Sequence, residues 1–366
     1  MGLFLRATLA KKVCPSHYNA SGGPMSKIVK IAAVQMNAGP APRAERLARA
    51  ESLILQATQQ GAQLVVLPEV FNTGYEYTDK NYHLAEPLDG PTPTWMRKLA
   101  AQTGAHLAGT FLRLDQGDIY NTLLLVAPNG REWLYDKSYP WMWERAYFCP
   151  GKKGTVVADT ELGKIGLLIC WDSAHPALWQ RYASQVQLMV VSSCPPMINE
   201  GTAVMPDGRR VAMSEFGPIQ RRVYQNVGKL FGPLLRRQST CLNVPVVNTT
   251  GIGNFSTTLP SPRISFWGLS QSAPQFWKYI PQAAQIRIES GYFYETYVAD
   301  ATGRVLQQVP PNTEGYVVAE AALPDSPPAP QGLQPAFGIS WLNYFFDAFA
   351  NWVLARVYQQ KRRISR

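Results

Sequence analysis

From Ile28 onward the apolar and polar positions follow two rhythms. IVKIAAVQM reads as a buried strand, and residues 41–60 place Leu47, Ala50, Leu53, Ile54 and Ala57 at helical spacing until Gly61. AQLVVLPE gives a second strand, a polar loop follows, and a helix near 92–103 stops at Gly104. HLAGTFLRL, NTLLLVAP and REWLYDKSYP read as strands joined by DQGD and PNG turns. KIGLLIC is a short buried strand, followed by a helix in ALWQRYASQ and a strand in QLMVVSS. VPVVNTTGIG, YFYETYVAD and GYVVAEAAL supply further strands. Strands alternating with helices, with several hairpins, predict a layered α/β domain over residues 25–323.

Two segments break this rhythm. Residues 197–240 stand between two strands where a loop of about 4–6 residues would be ordinary. Within them Ile219, Val223, Val227, Leu230 and Phe231 share a face beside Arg221, Arg222 and Lys229, while Gly228 and Gly232-Pro233 limit any helix to a short or broken one. A membrane-touching segment and an active-site lid both fit this insertion. The second segment begins with a Pro-rich linker, 324–335, expected to set the tail 336–366 apart from the body. In that tail Ser340, Asn343, Asp347 and Asn351 fall within about 80° of a helical wheel. The rest of the wheel is aromatic, with Trp341, Phe345, Phe346, Phe349 and Trp352, and RVYQQKRRISR follows. This predicts an amphipathic helix lying in a membrane surface, with the basic end anchoring on headgroups. Packing on a neighbouring subunit of a homo-oligomer is the alternative.

Composition narrows the function classes. The chain has 366 residues, 46% hydrophobic and 16% charged, which suits a large buried core and not a disordered chain. Its net charge of +10 is concentrated in residues 209–237 and 356–366, so the remainder is close to neutral. That excludes a generally basic nucleic-acid binder. The 5 cysteines lack CxxC spacing, which argues against a disulfide framework or a structural zinc site and for a reducing compartment. No metal and no cofactor are expected. Residues 1–24 read as a loose extension, too weakly apolar for a secretory signal.

Candidate chemistry lies in three passages. Glu69 ends the strand of LPEVFNTGY, Lys137 and Glu144 sit in DKSYPWMWERAYF, and Cys170 stands where the GLLICWD strand meets a helix. A thiol at a helix N-terminus has oxyanion donors beside it and a lowered pKa. A carboxylate can take its proton and a lysine can stabilise developing negative charge. Each residue alone has an ordinary structural role; together, in this order, they resemble the nitrilase, or carbon–nitrogen hydrolase, superfamily over about residues 26–323.

The resemblance implies an αββα sandwich and a Glu69–Lys137–Cys170 triad, with Glu144 as a second glutamate orienting Lys137. It implies hydrolysis through a thioester, with the Trp171 backbone N–H helping to hold the oxyanion. CWD at 170–172, in place of the CWE of true nitrilases, favours a small-molecule amide over a nitrile. Tyr75, Trp143, Asp172 and Ser193 are expected in the substrate pocket. With the tail, these expectations describe an amidase on the cytoplasmic side of a membrane acting on lipophilic amides. Acyl transfer from the same thioester, a nitrilase, a non-catalytic scaffold and a soluble cytoplasmic protein are the alternatives.

Overall fold

The structure, a computed structural model, describes residues 27–332 and 339–364. The expected extension 1–24, part of the linker and both ends of the tail lie outside the described residues. In chain order the first half runs β1 (Lys27–Asn37), α1 (Arg43–Gln59), β2 (Leu64–Val66), α2 (Asn81–Leu84), α3 (Pro91–Thr103), β3 (His106–Asp115), β4 (Asp118–Val126) and β5 (Glu132–Asp136). Then come β6 (Val157–Thr160), β7 (Gly163–Ile169), α4 (Pro176–Tyr182) and β8 (Leu188–Ser192). The insertion carries β9 (Thr202–Val204), β10 (Arg210–Ala212), α5 (Pro218–Val223) and α6 (Leu235–Leu242). The chain continues through β11 (Val246–Thr249), β12 (Gly251–Ile252), β13 (Phe255–Thr258), α7 (Pro262–Leu269) and β14 (Arg287–Ser290). It ends with β15 (Tyr297–Ala299), β16 (Val305–Gln308), β17 (Gly315–Leu323) and α8 (Trp341–Ile364).

One sheet has the order β12-β1-β2-β3-β4-β5, with β17 also paired to β1; a second has the order β16-β15-β11-β8-β7-β6. The β1 run is apolar on both faces because both are covered. Val29, Ile31 and Ala33 face the core shared with the second sheet, while Ala32, Val34 and Met36 pack with Leu47, Ala50 and Ile54 of α1 and Met96 and Leu99 of α3. Trp179 and Tyr182 of α4 and Leu235 and Leu242 of α6 join the core of the second sheet. The layers are therefore helix, sheet, sheet, helix, the αββα sandwich expected. Gly104, left-handed at φ 69°, closes α3 by donating its N–H to Ala100 O, and Gly61, at φ 86°, follows α1 as its stop.

Two sequence expectations need correction. The insertion is more than a short or broken amphipathic helix: β9 and β10 join β13 and β14 in a small antiparallel sheet, β10-β9-β14-β13. Ala203, Phe216, Phe266, Phe276 and Ile288 form part of a second apolar core around it. Nor is the tail set apart from the body. Helix α8 lies on it with the polar stripe inward: Asn343 and Asp347 are buried, along with Leu354 and Tyr358. Asn343 Nδ2 donates to Val223 O at 2.9 Å, the Met142 N–H to Asp347 Oδ1 at 2.7 Å, and the Ile119 N–H to Tyr358 Oη at 2.9 Å. Tyr344 donates to Ala174 O. Lys361 and Arg362 pair with Asp79 and Asp118 instead of projecting as anchors, and Arg366 lies outside the described residues.

Leu354→Ala should therefore lower the unfolding free energy by about 2–5 kcal/mol in denaturant titration and speed amide exchange across 341–364. A loss below about 0.5 kcal/mol, ordinary for a surface substitution, would contradict the docked geometry.

Candidate active site

Each chemical side chain leaves the sandwich where an element ends. Glu69 follows β2, Lys137 follows β5, Glu144 lies in the short helical turn Met142–Ala146, and Cys170 follows β7. The Lys137 N–H donates to Asn121 O at 2.8 Å, which continues the ladder and aims the side chain inward. The Lys137 ammonium then meets Glu69 Oε1 at 2.7 Å and Glu144 Oε2 at 2.7 Å, with all three side chains fully buried. The Glu69 carboxylate also accepts from Asn121 Nδ2 at 2.7 Å and from the Cys194 N–H at 3.0 Å. Glu144 accepts from Tyr75 Oη and from the Trp141 N–H at 2.6 Å. Glu144 is thus the partner of Lys137, while Arg145 donates to Phe148 O.

Cys170 has φ 46°, a left-handed conformation costly for a residue with a Cβ. Asp172 braces this bend: its carboxylate accepts from Tyr135 Oη at 2.8 Å, the Tyr139 N–H at 2.8 Å and the Ile169 N–H at 3.2 Å. The same carboxylate therefore ties the Cys170 turn to the segment that presents Lys137. Burial pushes the Asp172 pKa up to about 7 against the pull of Lys137 and these donors.

The thiol departs from the sequence expectation. Burial, then the charge of Glu69, holds Cys170 well above its ordinary range, although Lys137 pulls the other way. The short turn after Cys170 does not offset its loss of solvent. Burial likewise raises Glu69, with Lys137 opposing and Glu144 adding to the rise. Burial alone would lower Lys137, but Glu144 and Glu69 outweigh it and keep the ammonium charged. The resting cluster thus sets a neutral thiol beside a carboxyl of raised proton affinity and a fixed cation.

The cavity at Cys170 is mostly aromatic and apolar. Tyr75 lines it as expected, but Trp143, Asp172 and Ser193 do not. Trp143 packs edge-on against Tyr77 beneath the wall, Asp172 is the brace just described, and Ser193 Oγ donates to Asn248 Oδ1 at 3.1 Å. Trp141 takes the place expected of Trp143. The insertion supplies Ile198, Asn199, Tyr224, Val227 and Phe231, and α8 supplies Asn343. The insertion therefore acts as a wall over Cys170, closer to the lid reading than to the membrane reading. Nothing in the local sequence around Asn343 places it at the site. Among the described residues no group of His, Cys, Asp and Glu forms a metal site.

The carbon–nitrogen hydrolase family model matches residues 30–215, which include Glu69, Lys137, Glu144 and Cys170. The chain belongs to the carbon–nitrogen hydrolase family. It is 36% identical over 152 residues to a nitrilase of Pyrococcus abyssi, an alignment covering 41% of this chain and 58% of that protein. It is 32% identical over 170 residues to an N-carbamoylputrescine amidase of Solanum lycopersicum, covering 44% of this chain and 56% of the relative. The chain thus spans little more than half the length of these curated relatives. Among solved structures, the amidase from Nesterenkonia sp. AN1 with acrylamide added at its active-site cysteine superposes with a TM-score of 0.57 at 17% identity, covering 80% of this chain and 92% of the other. That likeness, like that to Saccharomyces cerevisiae Nit3 (TM-score 0.59, 21% identity, 82% and 93% covered), is one of fold.

Lys137→Met should show how far the cluster depends on its cation. Breaking a buried pair costs about 3–5 kcal/mol at neutral pH because a buried charge is left uncompensated. Without the ammonium the Glu69 pKa rises further above its unfolded value, so the folded state binds the extra proton and the variant loses stability as pH rises through that window. Urea unfolding at pH 5 and pH 7.5 should return part of the loss at the lower pH; an equal loss at both would contradict the charge argument.

Proposed function

We propose that the protein is a thiol amidase that hydrolyses the C–N bond of a largely apolar amide. The observation that carries this reading is the buried Glu69–Lys137–Glu144 cluster beside Cys170, which itself lines an aromatic cavity. Glu69 takes the Cys170 proton as sulfur attacks the carbonyl carbon. Lys137 and the Trp171 backbone N–H stabilise the oxygen as it becomes negative. Glu69 returns the proton to nitrogen, the amine leaves and a thioester remains. Water, deprotonated by Glu69, attacks the thioester; the acid departs and the proton returns to sulfur. Glu144 holds Lys137 in place, and the raised proton affinity of Glu69 suits a group that gains and loses a proton in each half. The family relationship supports this chemistry, and the aromatic lining supports an apolar substrate.

The reading extends to a membrane surface. With its polar stripe turned inward, α8 presents Trp341, Phe345, Phe349 and Trp352 to solvent; Phe346 is half-buried against the groove beside α7. Ile264 and Trp267 of α7 are also exposed, and the Arg356 guanidinium lies 3.8 Å over the Trp352 ring. An aromatic crest with exposed Arg221, Arg222, Lys229 and Arg263 on neighbouring segments suits an anionic headgroup layer. Among the described residues no helix is long and apolar enough to cross a membrane, so the contact proposed is peripheral.

Cys170→Ala should abolish turnover, and intact-mass analysis of trapped enzyme should find the acyl group on Cys170. Glu69→Gln should lose about 10²–10⁴-fold in rate. An adduct on Cys194 or Cys241, or near-normal turnover by Glu69→Gln, would overturn the mechanism. Full-length protein should float with vesicles containing phosphatidylserine and be released by salt, and exchanging Trp341, Phe345 and Trp352 for serine should abolish flotation. Failure of the unaltered protein to float would remove the membrane reading and leave the amidase reading standing.

A further inference from the structure

The cavity at Cys170 holds an unsatisfied acceptor that comes from outside the family-matched span. Asn343, on the first turn of α8, is 1% exposed and lines the cavity, and its Oδ1 has no hydrogen-bond partner. Its orientation is fixed, because Val223 O accepts only a donor and therefore selects Nδ2 at 2.9 Å. Asn199, from the insertion, lines the same cavity and also has an unpartnered Oδ1. A buried acceptor without a partner carries the full cost of its desolvation. Two such oxygens in one largely apolar cavity need a donor; the Trp171 indole N–H that also lines it reaches neither, being itself without a partner, and the catalytic cluster does not supply one. Glu69, Lys137 and Glu144 are already bonded to one another and to Asn121, Tyr75 and backbone N–H groups.

We propose that α8 completes the substrate site, with Asn343 Oδ1 accepting a hydrogen bond from an N–H or O–H donor on the substrate beyond the scissile amide. The inference rests on the amidase reading and sharpens it: the substrate is an apolar amide that carries one further donor. Asn199 offers a second acceptor in the same cavity. Asn343 is a specificity-determining residue here and takes no part in bond making. A site built around a substrate donor rejects an analogue lacking it, because the acceptor then stays desolvated and unpaired.

The test uses the full chain carrying Cys170→Ala, which cannot turn over, and two probes: N-acetylphenylalaninamide and the same compound methylated on the acetamido nitrogen. Calorimetry should give a preference for the N–H probe of roughly 5–150-fold, the range for one buried acceptor left unpaired. Adding Asn343→Leu should level the two affinities, mainly by weakening the N–H probe. A preference that survives Asn343→Leu, or equal weakening of both probes, would overturn the inference in favour of a purely structural role in docking α8. If Asn343→Leu fails to fold, Asn343→Ala is read in the same comparison. Hydrolysis of the probes by unaltered enzyme is followed separately. Its absence counts against the amidase reading, while the probe preference judges Asn343 alone.

Discussion

A lysine ammonium buried between two carboxylates is the constraint from which the site follows. Lys137, Glu69 and Glu144 are all removed from water, and a charge so placed is tolerable only when its partners are fixed. The sandwich meets that demand with backbone. Lys137 is pinned by Asn121 O, and Glu69 by an N–H donated to Ser193 O and another accepted from Cys194. Because Glu69 follows a strand of the first sheet and Ser193 and Cys194 follow β8 of the second, these bonds lock the two sheets at the point where Cys170 emerges. The ion cluster is therefore tied to the seam that carries Cys170.

The same burial decides how the thiol is used. A thiolate resting at Cys170 would add negative charge to a dry cluster already holding two carboxylates and one ammonium. The raised thiol and carboxyl pKa values express that balance. In the amidase chemistry proposed above, proton transfer to Glu69 becomes favourable only as the charge moves onto substrate oxygen beside Lys137, so the cluster would favour the attack over the resting thiolate. Asp172 keeps the bend at Cys170 from relaxing, since its three accepted bonds would have to break with it.

The layers and the cluster were legible because they are local patterns. Val29, Ile31 and Ala33 alternating with Ala32, Val34 and Met36 mark a strand covered on both faces, and LPE, Lys137, WERAYF and CWD stand at element ends in a recognisable order. The cavity wall was not legible, for two physical reasons. In a tight turn the side-chain directions follow neither helix nor strand periodicity, so Trp141 lines the cavity where Trp143 was expected. Tyr224, Phe231 and Asn343 reach Cys170 only through long-range packing, of which sequence spacing carries no trace. The thiol differs for a third reason: desolvation raises its pKa by more than the donors of a helix start lower it.

Helix α8 shows how a correct pattern can support the wrong orientation. A polar stripe beside an aromatic one is normally read with the polar side toward water. Here the body offers the helix polar partners: the Met142 N–H for Asp347, Val223 O for Asn343, and Asp118 for Tyr358 and Arg362. Asp347 is buried deeply enough to have its pKa pushed up to about 7, with the Met142 N–H opposing that rise. Its acceptance from Met142 lies two residues from Glu144, so the docked helix helps fix the turn that holds Lys137. The aromatic crest on the outer side is the consequence. Along residues 341–352 a helix that spends its polar groups on the cavity wall has mainly aromatic ones left to show, so the wall and the crest are two faces of one helix.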